Sequence, residues 1–382
     1  MQKFAFLIHP IDAKRDVARK YPYARFMPER LIEWFLKSRE PMVVAEVKGV
    51  ISITGAEAEG WLIGCLLTSR QMMTLPIEFV WDKLEKCGRI AQELGAPIMG
   101  LGAFTSVVGD GGITLAKRLP GLAITTGNSY TVATAIEGAK EGARLMGHVL
   151  EDSNVAIVGA AGSIGATCSE IMARSVRSIS LVGRDNNRLE TVADKIKRQS
   201  DAMVNVFTDV AEGLENADIV ITVTSAVDAV ILPQHIKRGA VVCDVARPRD
   251  VSVRVAKERN DVLVIEGGVV KVPGNMRLYK SDKPDQEFSF GFPKETAYAC
   301  MSETMMLALD NRYESFTLGK TVSAQQVDET NRLAEKHGFH LAGFRSFERE
   351  VGPDSIAQIR ERAASEPRPS RPKHLLPNFK KR

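Results

Sequence analysis

The 382-residue sequence predicts an α/β protein: a Rossmann-type doubly wound parallel sheet, an N-terminal α/β substrate domain and C-terminal helices. Three observations carry the prediction. From Asn154 onward, six short β-branched runs recur with helical patterns in several of the gaps between them. A glycine-rich turn, Gly159-Ala-Ala-Gly162-Ser-Ile-Gly165, follows the first run and opens a helix. The composition, 44% hydrophobic and 26% charged, is that of a globular chain, which excludes disorder, collagen and coiled coil for the bulk.

Before Asn154 the pattern alternates. Phe4–Ile8 reads as a strand and Pro28–Lys37 as a helix with Pro at its start. Met42–Thr54 reads as paired strands around Gly49. Pro76–Leu94 has helical spacing and Gly95 as its stop. Pro97–Phe104 and Leu122–Thr126 read as strands, and Ser129–His148 as a long Ala- and Gly-rich helix. The six later strands are Val155–Val158, Ser178–Val182, Val204–Phe207, Asp218–Thr224, Ala240–Val245 and Val262–Ile265, with helices at Ser163–Ser175 and Asn187–Gln199. Pro293–Asn311 and Ser323–His337 complete the helical pattern. The expected division is residues 1–128 as substrate domain, 129–150 as linking helix and 151–288 as Rossmann domain. A helical region follows at 289–350, then a basic, Pro-rich tail at 351–382, read as disordered or loosely attached.

In the glycine-rich turn, Gly159 allows the tight bend, Gly162 lets backbone amides approach a pyrophosphate, and Gly165 lets helix and strand pack closely. The helix start adds unpaired N–H groups and partial positive charge. Gly159, Ala160, Gly162, Ser163, Ile164 and Gly165 are therefore the expected cofactor-binding residues of this GxxGxxG variant. Cofactor identity is read after the second strand, at Gly183-Arg184-Asp185-Asn-Asn-Arg188. An acid there binds the ribose 2′-hydroxyl of NAD, and an Arg accommodates the 2′-phosphate of NADP. Arg184 and Arg188 favour NADPH, with Asp185 as the competing reading. Thr224, Ser225 and Gly268 stand at later strand ends, where open sheets bind ligands.

The net charge is 51 − 47 = +4, and residues 361–382 alone carry seven Lys/Arg against two acids. The body is thus near neutral and gives no support for a nucleic-acid partner. The five cysteines (Cys65, Cys87, Cys168, Cys243, Cys300) form no CxxC or Cys/His cluster, so no disulfide framework or metal site is expected. No apolar run reaches the length of a membrane span and the start does not read as a secretory signal. The expectation is a cytoplasmic, reducing compartment, and apolar area on the Rossmann helices would suit a homodimer.

Cys300, in Ala299-Cys-Met-Ser-Glu303, has two readings from the residues alone: a small buried hydrophobe, or a nucleophile. Glu303, three residues on, opposes a thiolate if it faces the sulfur. Thr105 and Ser106 follow one strand, and Thr126 and Asn128 another. They suit a substrate cleft or mere helix capping. Of the six histidines none has a partner at metal or triad spacing, and His337 reads as part of a helix end before Gly338. The turn also suits a direct-hydride dehydrogenase of the shikimate or amino-acid type, or a non-catalytic NADP-binding sensor.

The chain resembles the long-chain acyl-[acyl-carrier-protein] reductases, which form fatty aldehydes. The residues that carry the likeness are Gly102-Ala-Phe-Thr-Ser-Val-Val-Gly109, Thr125-Thr-Gly-Asn128-Ser-Tyr-Thr131, Val158–Gly165, Gly267-Gly-Val-Val270, Ala299-Cys-Met-Ser-Glu303 and Glu335-Lys-His-Gly-Phe339. The resemblance implies that Cys300 accepts the acyl group from an acyl-carrier-protein or coenzyme A thioester and that NADPH reduces the acyl-enzyme. It covers roughly residues 95–340. The first ~90 residues and the basic tail depart from it.

Overall fold

Two sheets meet on a shared helix, and each element of that frame has a local cause. Residues 1–11, 13–18, 22–226, 228–289 and 293–365 are described by the computed structural model. The N-terminal part holds strands β1 (Gln2–Ile8), β2 (Met42–Ile51), β3 (Glu57–Gly64), β4 (Ile98–Gly100) and β5 (Ala123–Thr125). Its helices are α1 (Ala13–Ala18), α2 (Glu29–Ser38), α3 (Ser69–Thr74), α4 (Ile77–Glu93), α5 (Ile113–Arg118) and α6 (Asn128–Met146). Strand β1 pairs in parallel with β3 and β4, and β4 with β5. The antiparallel turn falls at 52–56, where the Ser52 amide donates to the Ala56 carbonyl at 2.8 Å.

Gly49, expected as that turn, lies inside β2 at a register shift, with φ +77°. A side chain there would meet the Asn275 carbonyl oxygen at 2.5 Å, so the glycine admits a neighbouring strand.

The second sheet contains β6 (Asn154–Val158), β7 (Ser178–Val182), β8 (Met203–Phe207), β9 (Ile219–Thr222), β10 (Val241–Asp244) and β11 (Leu263–Glu266). Helices α7 (Ser163–Met172), α8 (Asn186–Lys197), α9 (Val210–Leu214) and α10 (Val253–Glu258) connect them. All pairings are parallel and the order is β8-β7-β6-β9-β10-β11. That is the doubly wound Rossmann order 3-2-1-4-5-6, as the repeating β-branched runs predict.

The segment after β11 departs from expectation. Strand β12 (Val269–Lys271) is followed by β13 (Gly274–Lys280) and β14 (Lys283–Glu287), which extend the first sheet through β2. These residues fall within the expected Rossmann stretch of 151–288, yet the Rossmann sheet ends at Glu266. Pro293–Asn311 is not a continuous helix: β15 (Thr296–Tyr298) pairs with β12, and α11 (Ala299–Leu309) starts after it. Helix α12 (Ala324–His337) ends at Gly338 in the left-handed region, with a capping box at Ser323. Strand β16 (His340–Leu341) joins β12, and β17 (Phe344–Ser346) and β18 (Arg349–Val351) form a hairpin.

The expected tail begins as structure. Residues 353–365 form α13 (Pro353–Ser365), with Ile356 buried at 4% exposure. Arg238 donates from Nε to the Ala363 carbonyl at 2.9 Å and from Nη2 to that of Arg362. The remaining tail, residues 366–382, lies outside the described residues.

One continuous core joins the sheets. It includes Phe4, Phe6 and Val47 from the first, Ile157, Ile179 and Val241 from the second, and Ala135, Ala139 and Ala143 of α6 between them. Gly142 lets α6 approach β10: a side chain there would meet Val241 at 2.9 Å. Because α13 contributes to this core through Ile356, Ile356→Ala is expected to lower unfolding free energy by about 2–3 kcal/mol. Denaturant titration checks it, with an unchanged midpoint counting against docking of α13.

Candidate active site

Cys300 occupies the second position of α11, directly after β15. The other four cysteines are buried, and Cys300 is partly exposed. The helix start is fixed by the Ala299 amide, which donates to the Gly268 carbonyl at 2.7 Å. Gly268 turns the chain between β11 and β12 at φ +78°. Desolvation pushes the Cys300 thiol up to about 12, and the Glu303 charge adds to the rise. Opposing it are the backbone N–H groups of Met301, Cys300 and Ala103. The resting sulfur is thus a neutral thiol set among amide donors.

The donor loop is built from strain and from hydroxyls. Ala103 adopts φ 46°, in the left-handed region that a side chain disfavours. Thr105 Oγ1 donates to the Gly102 carbonyl and Ser106 Oγ to that of Ala103, each at 2.7 Å. Both residues are buried, so they hold the loop and do not line an open cleft. His9 secures it from outside: its Nε2 accepts from the Phe104 amide at 3.3 Å, while Nδ1 donates to the Pro10 carbonyl at 3.1 Å. Burial lowers the His9 pKa to about 4, so the ring is neutral and this tautomer fits both bonds.

Glu303 is fully buried and faces the turn before α6. Its Oε1 accepts from Thr125 Oγ1 at 2.5 Å and Thr317 Oγ1 at 3.1 Å. Its Oε2 accepts from Ser129 Oγ at 2.6 Å and the Tyr130 amide at 3.0 Å. It caps α6 from a distant helix, and with four donors it is not placed to take a proton from Cys300. Thr126, also buried, donates to the Thr317 carbonyl at 2.7 Å. Thr317 is itself at φ 51°, unusual for a β-branched residue.

Between them Gly127 lies against Cys300, where a side chain would fall 2.3 Å from Cys300 Cα and Cβ. Asn128 then reaches the second sheet, its Nδ2 donating to Ser163 Oγ at 3.4 Å. A further tie runs from the loop after β10: Arg247 Nε donates to Tyr298 Oη at 3.3 Å, and the guanidinium lies 5.6 Å from that ring's centroid.

The glycine-rich turn fits a dinucleotide. Gly159 has φ +89°, and a side chain at Gly165 would fall 2.2 Å from the Gly159 carbonyl oxygen. Gly162 is exposed and starts α7 with no side-chain cap, which leaves the first N–H groups of that helix to an anion. Ala160 is fully buried and Ile164 packs on the core, so these two support the turn with their side chains. Arg184, just after β7, and Arg188, in the first turn of α8, are both exposed, and Arg188 Nη2 donates to the Ala161 carbonyl at 2.8 Å. Asp185 accepts from the Arg188 amide as the N-cap of α8, which gives its carboxylate a local use. Thr224 is held by Asp250, which accepts both its amide at 2.9 Å and its hydroxyl, while Ser225 stays exposed beside it.

His9, Ala103, Gly127, Arg247, Tyr298 and Thr317 were not among the residues expected at the site. Contacts such as His9–Phe104, Arg247–Tyr298, Gly127–Cys300 and Thr126–Thr317 join residues far apart in sequence, and only the glycine within Thr125-Thr-Gly-Asn128 signals a close approach. Among the described residues no group of three His, Cys, Asp or Glu side chains could hold a metal ion.

Comparison with known proteins agrees with this geometry. A family profile described as Shikimate / quinate 5-dehydrogenase matches residues 141–266, which hold the whole second sheet. The chain is 29% identical over 372 residues to "Aminotransferase PigE" of a Serratia species, covering 94% of this chain and 42% of that protein. It is 24% identical over 339 residues to the long-chain acyl-[acyl-carrier-protein] reductase of Synechococcus elongatus, covering 86% of this chain and 95% of that protein. A glutamyl-tRNA reductase of Pasteurella multocida is 29% identical over 152 residues, 38% of this chain and 34% of that protein. The chain thus carries a nicotinamide-cofactor domain of the shikimate dehydrogenase type and is similar to reductases.

Proposed function

We propose that this protein reduces a long-chain acyl thioester, carried by acyl-carrier protein or coenzyme A, to the aldehyde through a Cys300 acyl-enzyme, with NADPH as reductant. The observation that carries the reading is the placement of Cys300. It is the one cysteine of five that is not buried, it lies in the first turn of α11, and the backbone N–H groups of Met301, Cys300 and Ala103 favour its thiolate. The similarity to the acyl-[acyl-carrier-protein] reductase over most of both chains supports the same substrate class. The Serratia protein is more than twice as long as the stretch matched here, so its named activity need not lie in that stretch.

The Cys300 sulfur attacks the thioester carbonyl, forming the S–acyl bond as the carrier's C–S bond breaks. The proton lost by the Cys300 thiol leaves on the carrier thiol. Bound NADPH supplies a hydride to the acyl carbon. Collapse of the resulting hemithioacetal frees the aldehyde and returns Cys300 as a thiolate that takes a proton from solvent. The amides of Ala103, Cys300 and Met301 serve both half-reactions, because each passes through negative sulfur. Their directions are set in advance by Gly102–Ser106 and by α11, so little reorganisation is required. Asn128 and Arg247 link the nucleophile's surroundings to the cofactor sheet. Arg184 and Arg188 would hold the 2′-phosphate of NADPH, with Asp185 committed to its cap.

Four outcomes are expected. Intact mass after mixing cofactor-free protein with a long-chain acyl thioester rises by the acyl mass, is discharged to aldehyde by NADPH, and does not rise in Cys300→Ala. No adduct with either carrier would instead favour direct hydride transfer. Alkylation of Cys300 by iodoacetamide still accelerates above pH 9, since a thiol raised to about 12 gains thiolate with every step in pH; a plateau below pH 8 would contradict the desolvated resting thiol. Replacing Arg184 and Arg188 with Ala weakens NADPH about tenfold or more and leaves NADH nearly unchanged, in titrations of cofactor fluorescence. Gly127→Ala lowers stability by about 1–3 kcal/mol and lowers acylation rate with it, because the added methyl overlaps the Cys300 backbone.

A further inference from the structure

We propose that the helical cap between β1 and β2 is a membrane-contact surface that seats on anionic lipid headgroups and their upper acyl chains, beside the site of Cys300. The inference deepens the function proposed above, since a long acyl chain and its aldehyde both partition into lipid.

Helix α2 is apolar over a wider arc than the protein covers. At about 100° per residue, Leu31, Ile32, Trp34, Phe35 and Leu36 span roughly 200° of its circumference. Ile32 and Leu36 are buried against Ala13 and Ala24. Leu31, Trp34 and Phe35 turn outward and are 45%, 68% and 39% exposed. On the preceding helical turn Phe26 is 78% exposed. Outward aromatic side chains in one stripe are unusual for a protein surface left to water.

The charges around the stripe select the partner. Arg25, Arg30, Lys37 and Arg39 are exposed. The Arg25 guanidinium lies 4.7 Å from the Phe26 ring centroid and that of Arg39 lies 4.5 Å from Phe35. None of the four makes an ion pair among the described residues. The acids of the same segment do: Glu33 with Arg70, Glu29 with Arg70 at 3.9 Å, and Glu40 with Lys86 at 2.8 Å. Unneutralised cations beside exposed aromatics match an anionic bilayer interface, where rings enter the headgroup region and Lys/Arg stay at the phosphates. A two-fold self-contact would set the same four cations against themselves, which disfavours a second copy. Among the described residues no helix is long and apolar enough to cross a membrane, so the cap lies on the surface of one.

The position is apt for acyl traffic. β1, β3 and β4 are parallel, and the α1–α2 cap leaves from the carboxyl end of β1. The Gly102–Ser106 loop that faces Cys300 leaves from the carboxyl end of β4, and His9 joins the two by accepting from Phe104.

The test uses the full chain in flotation with phosphatidylcholine vesicles and with vesicles containing 30% phosphatidylglycerol. Wild type is expected to float at least tenfold more with the anionic vesicles, with a blue shift of Trp34 emission. Trp34→Ser/Phe35→Ser is expected to lose that flotation at least tenfold while keeping its melting temperature. No flotation by wild type, or equal flotation by the variant, overturns the proposal. So does a dimer that the variant converts to monomer, or retention on an acidic carrier protein lost in the variant while vesicles bind neither protein. A water-soluble short-chain acyl thioester is turned over in parallel. Its reduction by both proteins, with flotation lost only in the variant, isolates the surface. Its absence in wild type defeats the acyl-reductase reading alone, leaving the flotation result to stand or fall separately.

Discussion

Everything near Cys300 depends on a buried carboxylate that cannot be left unpaired. Glu303 lies in α11, three residues after Cys300, with no access to water. A desolvated carboxylate needs hydrogen-bond donors close by. The chain supplies them from Thr125, Ser129, Tyr130 and Thr317, which come from a strand end, a helix start and a loop about 190 residues beyond that strand end. Satisfying this one group therefore fixes α11 against the start of α6. Gly127 follows as a necessity, because the turn that delivers these donors runs through the space next to Cys300.

The same turn connects the surroundings of Cys300 to the glycine-rich loop. Asn128 ends it and reaches Ser163 at the phosphate loop, and α6 continues from it into the interface of the two sheets. A short path of packed groups thus runs from Cys300 through Gly127 and Asn128 to the glycine-rich turn. The second tie, from Arg247 to Tyr298, holds the strand residue two places before Cys300. The surroundings of Cys300 are thus attached to the Rossmann part at two separate places, the start of α7 and the loop after β10.

Legibility in the sequence followed the range of the interactions. The Rossmann strands and the glycine turn are local: β-branched runs of four or five residues, and glycines whose torsions and close approach follow from one turn. They could be read directly. Gly49 misled because a glycine within a β-branched run looks like a turn when its cause, the passing strand at Asn275, lies more than 200 residues away. The α13 helix was hidden by the Pro-rich stretch after it, which dominated the composition of the segment. Cys300 was ambiguous in its own helix and gained meaning from a family resemblance. His9 and Thr317, which brace its surroundings, carry no local signal, and Ala103 stood out only as one residue of a motif shared with that family. Glu303 was visible as a residue, but its role was not, since all four donors come from outside its own helix.

Helix α6 also bears on how such proteins can be recombined. Its buried face belongs to neither sheet alone: Ala135, Ala139 and Ala143 share one core with residues of both. Gly142 is shaped to β10, whereas Tyr130 at the other end answers to Glu303. A cofactor domain borrowed from a different protein would arrive with a surface fitted to a different helix. Exchange of halves between relatives would thus have to carry α6 and its opposing faces as a single inherited block.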